Sequence, residues 1–228
     1  MSPRKEEARH YHHGDLHAAL LRAAVEELAE RGVENFTLRS CARRAGVSHA
    51  APAHHFGDVR GLLTEVAIDA FGQLDGSIRH AAEKTEQGSM DRLIAVALGY
   101  VHFAIDSSPQ FNLMFRTERL DASRPDFRAA ANAAFEQVAT AVSAYYGSDY
   151  PSTDPQLTRR IIGLWSLAQG LSNLVLAGQI GPLEDGAKAV HTLLPDMVRE
   201  LFGHEARNDP RDLSYIREAS ALENFDPK

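Results

Sequence analysis

The chain has 228 residues, 44% of them hydrophobic, which is enough for one large or two small domains with a substantial buried core. Its single cysteine excludes an internal disulfide and fits a reducing cytoplasm. No charged-then-apolar leader opens the chain, and polar residues interrupt its most apolar long stretch, residues 161–180. We therefore expect a cytoplasmic protein with neither a signal peptide nor a membrane span.

The formal net charge of −7 is unevenly distributed along the chain. Residues 1–60 carry nine Arg and Lys against eight Asp and Glu, a net charge of +1, whereas the remaining residues have a net charge of −8. Seven of the eleven histidines also lie in the first sixty residues. An acidic body with a nearly neutral, histidine-rich N-terminal part is compatible with a DNA-binding protein whose body is held away from phosphates.

The N-terminal thirty residues divide into an arm and a helix. Residues 1–10 have no apolar periodicity, and we expect a flexible arm there. From Asp15 to Arg31, apolar residues recur at three- and four-residue spacing, which predicts an amphipathic helix ending before Gly32. The intervening histidines, His10, His12 and His13, resemble a metal-binding cluster, although a helix entry is the alternative interpretation.

The stretch from Thr37 to Asp58, TLRSCARRAGVSHAAPAHHFGD, predicts two short helices joined by a tight turn. Thr37 can cap the first helix, and Gly46 favours the left-handed conformation that ends it. Ser48 can cap the second helix, about Ser48 to His55. This is the pattern of a helix-turn-helix, whose second helix enters the DNA major groove. On these residues alone, an ordinary hairpin in an all-α core is an equal alternative.

Beyond this stretch, apolar periodicity predicts only helices. A helix from Asp58 to about Glu83 is too long for a small domain and would connect it to the remainder. With no strand and no repeat, we expect an all-α chain with a three-helix domain at 11–60, a body at 84–203 and flexible ends at 1–10 and 204–228. The further predicted helices start near Ser89, Gln110, Pro125, Pro155 and Leu183.

The residues from Tyr11 to about Leu74 resemble the N-terminal DNA-binding domain of the TetR family of bacterial repressors. The resemblance implies a homodimeric, ligand-responsive transcription regulator, most simply a repressor released from a palindromic operator by a small molecule. It implies no cofactor, and it favours the helix-entry interpretation of the histidine run over a metal site. Four parts carry it in order: the helix ending at Arg31-Gly32, the Phe36-Thr37 entry, the Ala45-Gly46-Val47-Ser48 turn, and His55-Phe56 before the acidic cap at Asp58.

The same resemblance assigns the DNA contacts. The side chains expected to face bases are His49, Ala50 and Ala51, and those expected to hold phosphates are Thr37, Arg39, Ser48, His54 and His55. Arg39 could also fork onto guanine, and a packed histidine is the alternative for His55. The chain departs from the family at three places, which predicts modest affinity per half-site: Ala53 replaces a common Tyr, Val59 replaces a common Lys, and Pro52 removes a backbone donor from the second helix.

In the C-terminal part, Leu164 to Gly170 resembles the Trp-His-Gly signature of one branch of the family, with Gln169 in place of its His. Similar proteins hold an apolar pocket between the long helix and the body helices, although core packing is the alternative for each candidate. The candidate pocket residues are Phe71, Tyr100, Phe103, Phe111, Met114, Phe115 and Trp165, with His102 and Gln169 as polar groups. We expect Trp165→Ala to alter the ligand response without changing operator binding in the ligand-free state.

The last two helices are the dimerisation elements of the family, where they form a four-helix bundle with the partner. The glycines among the candidates either allow close approach or are merely tolerated in a buried helix. The candidate interface residues are Gly163, Leu167, Gly170, Leu171, Leu174, Val175 and Gly178.

Two other classes of protein compete with this interpretation. An enzyme is disfavoured because the chain has no HExxH, P-loop or G-x-S-x-G motif and no paired cysteines for zinc. A sensor or adaptor that keeps the fold without binding DNA is the second alternative, and a salt-dependent shift of DNA would separate it from a repressor. Cys41 is expected to be a small buried side chain and not a redox sensor.

Overall fold

The computed structural model describes residues 3–180 and 186–203, with side chains for residues 16–180 and 190–203. Every regular element in these ranges is helical, which confirms the all-α prediction. The expected tail at 204–228 and the side chains of the histidine run lie outside these ranges. The α-helices are α1 Pro3–Arg31, α2 Leu38–Arg44, α3 Ala51–Phe56, α4 Val59–Ala82, α5 Met90–Asp106, α6 Ser108–Met114, α7 Pro125–Tyr145, α8 Pro155–Leu176 and α9 Gly186–Gly203.

The first helix starts earlier than its apolar periodicity predicts. α1 begins at Pro3 and not at Asp15. Proline suits the first helical position because its missing N–H would have no partner there, and Glu6 and Glu7 are acidic residues of the kind that favours a helix N-terminus. Apolar periodicity is present only in the part of α1 that packs against a core, so it does not predict the helical turns before Asp15.

Three predicted helix caps are present. The Thr37 hydroxyl accepts from the Ser40 backbone N–H at 3.1 Å, and the Asp58 carboxylate accepts from the Gly61 N–H at 2.8 Å. Ser89 caps α5 in the same way. Each cap satisfies one of the free N–H groups at a helix start, so these side chains fix where α2, α4 and α5 begin.

The turn after α2 is a Schellman motif. Gly46 has φ +69°, and its N–H donates to the carbonyl of Arg43 at 3.2 Å. The Val47 N–H donates back to the carbonyl of Ala42 at 3.0 Å, and the Val47 side chain packs against the core. A residue with a side chain would be strained at this φ, so glycine sets the place where the chain leaves α2.

The predicted start of the second short helix is wrong. α3 begins at Ala51, its N-cap residue is Ala50, and no side chain caps it. Ser48 instead accepts from the Ala51 N–H through its backbone carbonyl, at 3.0 Å. Pro52 explains the shift, because proline is tolerated only in the first turn, where an N–H needs no partner. The proline therefore costs α3 no hydrogen bond, which corrects the expectation that it removes one.

α4 contributes buried residues to both the head and the body, whose buried side chains form one continuous hydrophobic core. Near its start, Leu62 and Leu63 are fully buried in the head, which we define as α1, α2, α3 and the first turns of α4. Farther along, Phe71, Leu74 and Ile78 are buried in the body, where α4 packs against α5, α6 and α7. Leu62 and Phe71 are about 14 Å apart along the helix axis. One continuous helix therefore connects the two parts.

The body is built around α5, which contacts α4, α6, α7, α8 and α9. The crossing of α4 and α5 is close at Gly99, where a Cβ would lie 2.8 Å from the Ile78 Cα. The Ser77 hydroxyl donates to the Gly99 carbonyl at 2.8 Å across the same contact. In the part of the chain that the structure describes, no helix is long and apolar enough to cross a membrane.

Inside the head, a buried carboxylate joins α1 to α2. The Glu27 side chain is 1% exposed, and its Oε1 accepts from Arg44 Nε at 2.8 Å. Arg31 Nε lies 3.1 Å from Oε2 without making a hydrogen bond to it. Burial raises the pKa of Glu27, but hydrogen bonds from Arg44 and Ser40 and the two guanidinium charges outweigh it, so the pKa is lowered overall. Glu27 is therefore a paired, ionised group under α2.

Replacing Arg44 with methionine should destabilise the head. The change leaves a buried carboxylate without its main partner, so we expect the free energy of unfolding to fall by about 2 kcal/mol near neutral pH. Because the Glu27 pKa is lowered on folding, its contribution is present above the ordinary glutamate pKa and is lost as the pH falls through the folded value. The difference in the free energy of unfolding between the variant and the unaltered chain, measured by urea unfolding, should therefore become smaller in acid. Arg43→Met, on the exposed side of α2, is the matched control and should change stability by less than about 0.5 kcal/mol. A difference in the free energy of unfolding that did not change with pH would contradict the assignment of Glu27 as the ionised partner of Arg44.

Candidate nucleic-acid interface and apolar cleft

The head presents one polar groove beside the turn between α2 and α3. Its basic side chains come from the end of α1, from α2 and from the turn, and Thr37 places a hydroxyl at the start of α2. Arg39 and His49 are exposed. The groove is lined by Arg31, Thr37, Arg39, Ser40, Arg43 and His49. Guanidinium and hydroxyl groups in this arrangement can bind phosphate oxygens.

α3 is largely exposed on its outer side and anchored on its inner side. Pro52 is buried, and the Phe56 ring packs against His17 of α1 with 4.8 Å between ring centroids. Among the eight residues predicted to contact DNA, Ala51 and His55 are half-buried and the other six are exposed. The exposed set is Thr37, Arg39, Ser48, His49, Ala50 and His54. Six of the eight are therefore accessible at the surface of the head, and Thr37, Arg39 and His49 line the same groove.

The angle between α3 and α4 depends on Gly61. A Cβ on Gly61 would lie 2.0 Å from the carbonyl oxygen of Phe56, the last residue of α3. Because the atom that such a Cβ would meet belongs to the backbone, a side chain at position 61 could be accommodated only by moving α3 or α4. Val59, at the start of α4, is half-buried and packs against the core, which explains why its apolar side chain is accommodated there.

An apolar cleft lies in the body between α4, α5, α7 and α8. In this structure the cleft is narrow and partly open to solvent, with a cavity volume of about 30 Å³. That is room for about one water molecule, so a larger ligand would enter only if the lining side chains moved. Five of its nine lining residues are aromatic, and none carries a charge at neutral pH. They are Phe71, Leu74, Tyr100, Phe115, Ala131, Ala134, Phe135, Val138 and Trp165. Such a lining suits a small apolar ligand, with few polar groups to fix its orientation.

One short polar chain borders the cleft. Trp165 Nε1 donates to the Tyr100 hydroxyl at 3.4 Å, and that hydroxyl donates to the Gln169 side-chain oxygen. Burial raises the pKa of Tyr100 to about 12, so the phenol stays protonated and neutral at physiological pH. Trp165 itself is 36% exposed and packs edge-on against Phe135, with 5.3 Å between ring centroids.

The structure brings four of the nine predicted pocket residues to the cleft wall, namely Phe71, Tyr100, Phe115 and Trp165, and Gln169 touches it through Tyr100. The side chains of Phe103, Phe111 and Met114 are buried in the core, which was the alternative for each. His102 faces away and meets His191. The sequence does not predict the wall of the cleft that α7 forms. The apolar spacing of its lining residues indicates only a buried helix face, and these residues are Ala131, Ala134, Phe135 and Val138.

Two family models match the chain in the same two parts. Residues 20–66 match the bacterial regulatory proteins of the tetR family, and residues 93–197 match a tetracyclin repressor-like C-terminal domain. The first match contains α2, α3 and the polar groove, and the second contains most of the cleft. The chain belongs to the TetR family. Proteins of this family are regulators and not enzymes.

Individual relatives agree with this assignment. The HTH-type transcriptional regulator BetI of Escherichia coli is 34% identical over 80 residues, which span 35% of this chain and 41% of that protein. A Rhodococcus protein of unknown function is 28% identical, with a TM-score of 0.68 over 83% of this chain and 97% of that one. The TetR-family regulator PfmR of Thermus thermophilus shares the fold at 18% identity, with a TM-score of 0.58 over 78% and 92% of the two chains.

In this TetR-family chain, the predicted dimerisation residues are divided between surface and core. Gly163, Gly170 and Leu174 are exposed on α8, and a Cβ added at either of these glycines would meet nothing within 4 Å. Leu171 is buried in its own chain, whereas Leu167 and Val175 are half-buried. Gly178 has φ +67° in the turn that ends α8, so the helix end accounts for this glycine.

The connection between α6 and α7, residues 115–124, links the cleft to the head. Arg119 Nη2 donates to the Val33 carbonyl in the turn before α2 at 2.9 Å, and Arg119 Nη1 lies 3.7 Å from Glu34. Arg60 at the start of α4 donates to the Leu120 carbonyl at 2.9 Å. Phe115, the first residue of the connection, lines the cleft. The sequence marks this segment only as a polar connection, because none of its partners is local.

Cys41 is a buried core residue, as expected. Its thiol is fully buried and donates to the Leu20 carbonyl at 3.5 Å. Burial raises the pKa of Cys41 to about 11, so the reactive thiolate is scarce. Within the side chains that the structure describes, no group of three or more His, Cys, Asp and Glu residues is arranged to hold a metal ion.

Proposed function

We propose that this TetR-family protein is a transcription regulator that binds a palindromic DNA operator as a homodimer and is released by a small apolar or amphipathic effector. The observation that carries the proposal is the exposed α3 beside the basic groove. An exposed helix of small side chains can approach base edges closely, while the flanking basic and hydroxyl groups hold the backbone.

In the proposed complex, the turn and the start of α3 meet the bases. His49 can donate or accept at a base edge, and the methyl groups of Ala50 and Ala51 can contact thymine methyls. Thr37, Ser48 and His54 are exposed around them and can hold phosphates, and half-buried His55 lies beside His54 with 5.7 Å between ring centroids. Arg39 lies in the basic groove, where it can reach a phosphate or a guanine.

Replacing Arg39 with alanine should weaken DNA binding without unfolding the head. Arg39 is exposed, so its loss removes a DNA contact of about 1–3 kcal/mol and should lower affinity roughly ten- to hundred-fold. Mobility shifts with fragments of the source genome, at several salt concentrations, would measure this change and its salt slope. Arg128→Ala, an exposed position on α7, is the control and should leave binding unchanged. If the unaltered protein ignores every duplex at low salt, it is a ligand-binding protein that does not bind DNA.

We further propose that α8 and α9 form the homodimer interface. Residues 161–178, which make up most of α8 and the turn after it, contain no charged side chain, although many of them are exposed. Of the six large hydrophobic side chains exposed in the described part of the chain, five lie on these two helices: Ile162, Trp165, Leu174, Leu193 and Leu201. A second copy would remove this surface from water, and two-fold symmetry would place two α3 helices one DNA turn apart, about 34–36 Å.

A charge in this surface should separate the subunits. Leu174 is 44% exposed, so Leu174→Glu should fold normally but place two carboxylates in a desolvated interface. We expect analytical ultracentrifugation to show a monomer where the unaltered protein is a dimer, with operator affinity reduced in parallel. Ala133→Glu, exposed on α7, is the matched control and should remain dimeric. A dimeric Leu174→Glu variant would exclude this face as the interface.

The cleft supports the proposed effector response because it is coupled to the head by two routes. The first is α4, whose Phe71 and Leu74 line the cleft while Leu62 and Leu63 pack in the head. The second is the α6–α7 connection, which begins at Phe115 in the cleft and reaches the turn before α2 through Arg119. An effector weakens DNA binding only if it favours an arrangement in which the two heads no longer match the groove spacing.

Arg119→Ala should uncouple effector binding from operator release. Trp165 is the only tryptophan and lines the cleft, so quenching of its fluorescence reports occupancy. For a compound that quenches Trp165 and releases operator from the unaltered protein, we expect the variant to bind it within about three-fold but to need at least about five-fold more for release, the low end of ordinary coupling energies. Arg116→Ala, exposed in the same connection, should behave normally. Unchanged release from Arg119→Ala would leave α4 as the transmitting element.

A further inference from the structure

Two histidines from distant parts of the chain meet on the outside of the body. His102 lies in the last half of α5 and is half-buried, and His191 lies near the start of α9 and is exposed. Their Nε2 atoms are 3.2 Å apart, and their ring centroids are 4.8 Å apart with a tilt of 46°. The pair lies outside the cleft and is not used by the proposed DNA surface.

The distance between the two nitrogen atoms fits two different arrangements. Two neutral imidazoles can share one proton, with one Nε2–H donating to the other Nε2. Two ligands of one tetrahedral zinc ion, each about 2.0–2.1 Å from the metal, would have their nitrogens about 3.4 Å apart. The observed spacing therefore allows an ion to bind with only a small movement of the rings.

The pair has a carboxylate nearby and is open to solvent on one side. Burial, together with the nearby His191, lowers the pKa of His102, whereas Asp106 one turn farther along α5 acts in the opposite direction. The Asp106 carboxylate adds negative charge close to the pair. Because His191 is exposed, an ion can reach the pair from solvent.

We propose that His102 and His191 form a site for a divalent transition ion that prefers imidazole ligands, such as Zn²⁺, and that the ion joins α9 to α5. The two histidines supply two ligands, and water or a bound small molecule completes the coordination. The ion would hold α9 in place at one end. Leu193, two residues after His191, points to the opposite side of α9, so the dimer face and the metal site do not compete.

Titration of the full-length chain with Zn²⁺, followed by calorimetry in metal-free buffer, tests this proposal. We expect His191→Asn and His102→Asn each to remove one site per chain or to weaken it by more than about ten-fold. His80→Asn, an exposed histidine on α4, is the matched control and should keep the site. To exclude a contribution from His10, His12 and His13, the same series is repeated with these three replaced by Asn, and the loss should be the same.

A second measurement separates a bridging ion from one bound to a single helix. An ion held by both α5 and α9 binds the folded chain in preference to the unfolded one, so Zn²⁺ should raise the melting temperature of the unaltered chain and not that of His191→Asn. The proposal is overturned if both variants bind Zn²⁺ like the unaltered chain, in which case the pair is only a hydrogen bond. It is also overturned if His80→Asn loses the site equally, or if bound Zn²⁺ leaves the melting temperature unchanged.

Discussion

The organisation of this protein depends on α4, which is buried in both the head and the body. An α-helix resists bending because every turn is held by backbone hydrogen bonds, so movement at Phe71 must appear as movement at Leu62 or disrupt the packing around α4. The carboxylate cap of Asp58 and the close contact at Gly61 carry this rigidity into α3. The orientation of the proposed DNA-binding surface is thus set partly by residues that lie outside α3 and outside the polar groove.

A second connection restrains the same head from another direction. Arg119 holds the turn before α2, while the buried Glu27–Arg44 pair holds α2 onto α1. In both contacts an arginine donates to an oxygen of an element that is distant in sequence. The head is therefore joined to the body through α4, through Arg119 and through the packing of α1 on α6, and the proposed ligand-driven change of head spacing would act through these connections.

The parts of this structure that could be predicted are those determined by neighbouring residues. Thr37, Gly46 and Asp58 act on backbone groups within three or four positions, so their roles follow from the sequence itself. The start of α3 was misplaced because the restriction imposed by Pro52 outweighed the capping tendency of Ser48. The α7 wall of the cleft, the reach of Arg119 and the meeting of His102 with His191 could not be foreseen, since each depends on how helices pack against one another.

α3 has only six residues, far fewer than a helix needs to persist alone in water. It stays helical because Pro52 is buried and Phe56 packs against His17 of α1. Ala50 and Ala53, in contrast, are exposed to solvent. Exchange of these outward methyl groups for other side chains therefore leaves the scaffold intact. If α3 reads DNA as proposed, the DNA sequence that it recognises could be changed by substitutions with little cost in stability.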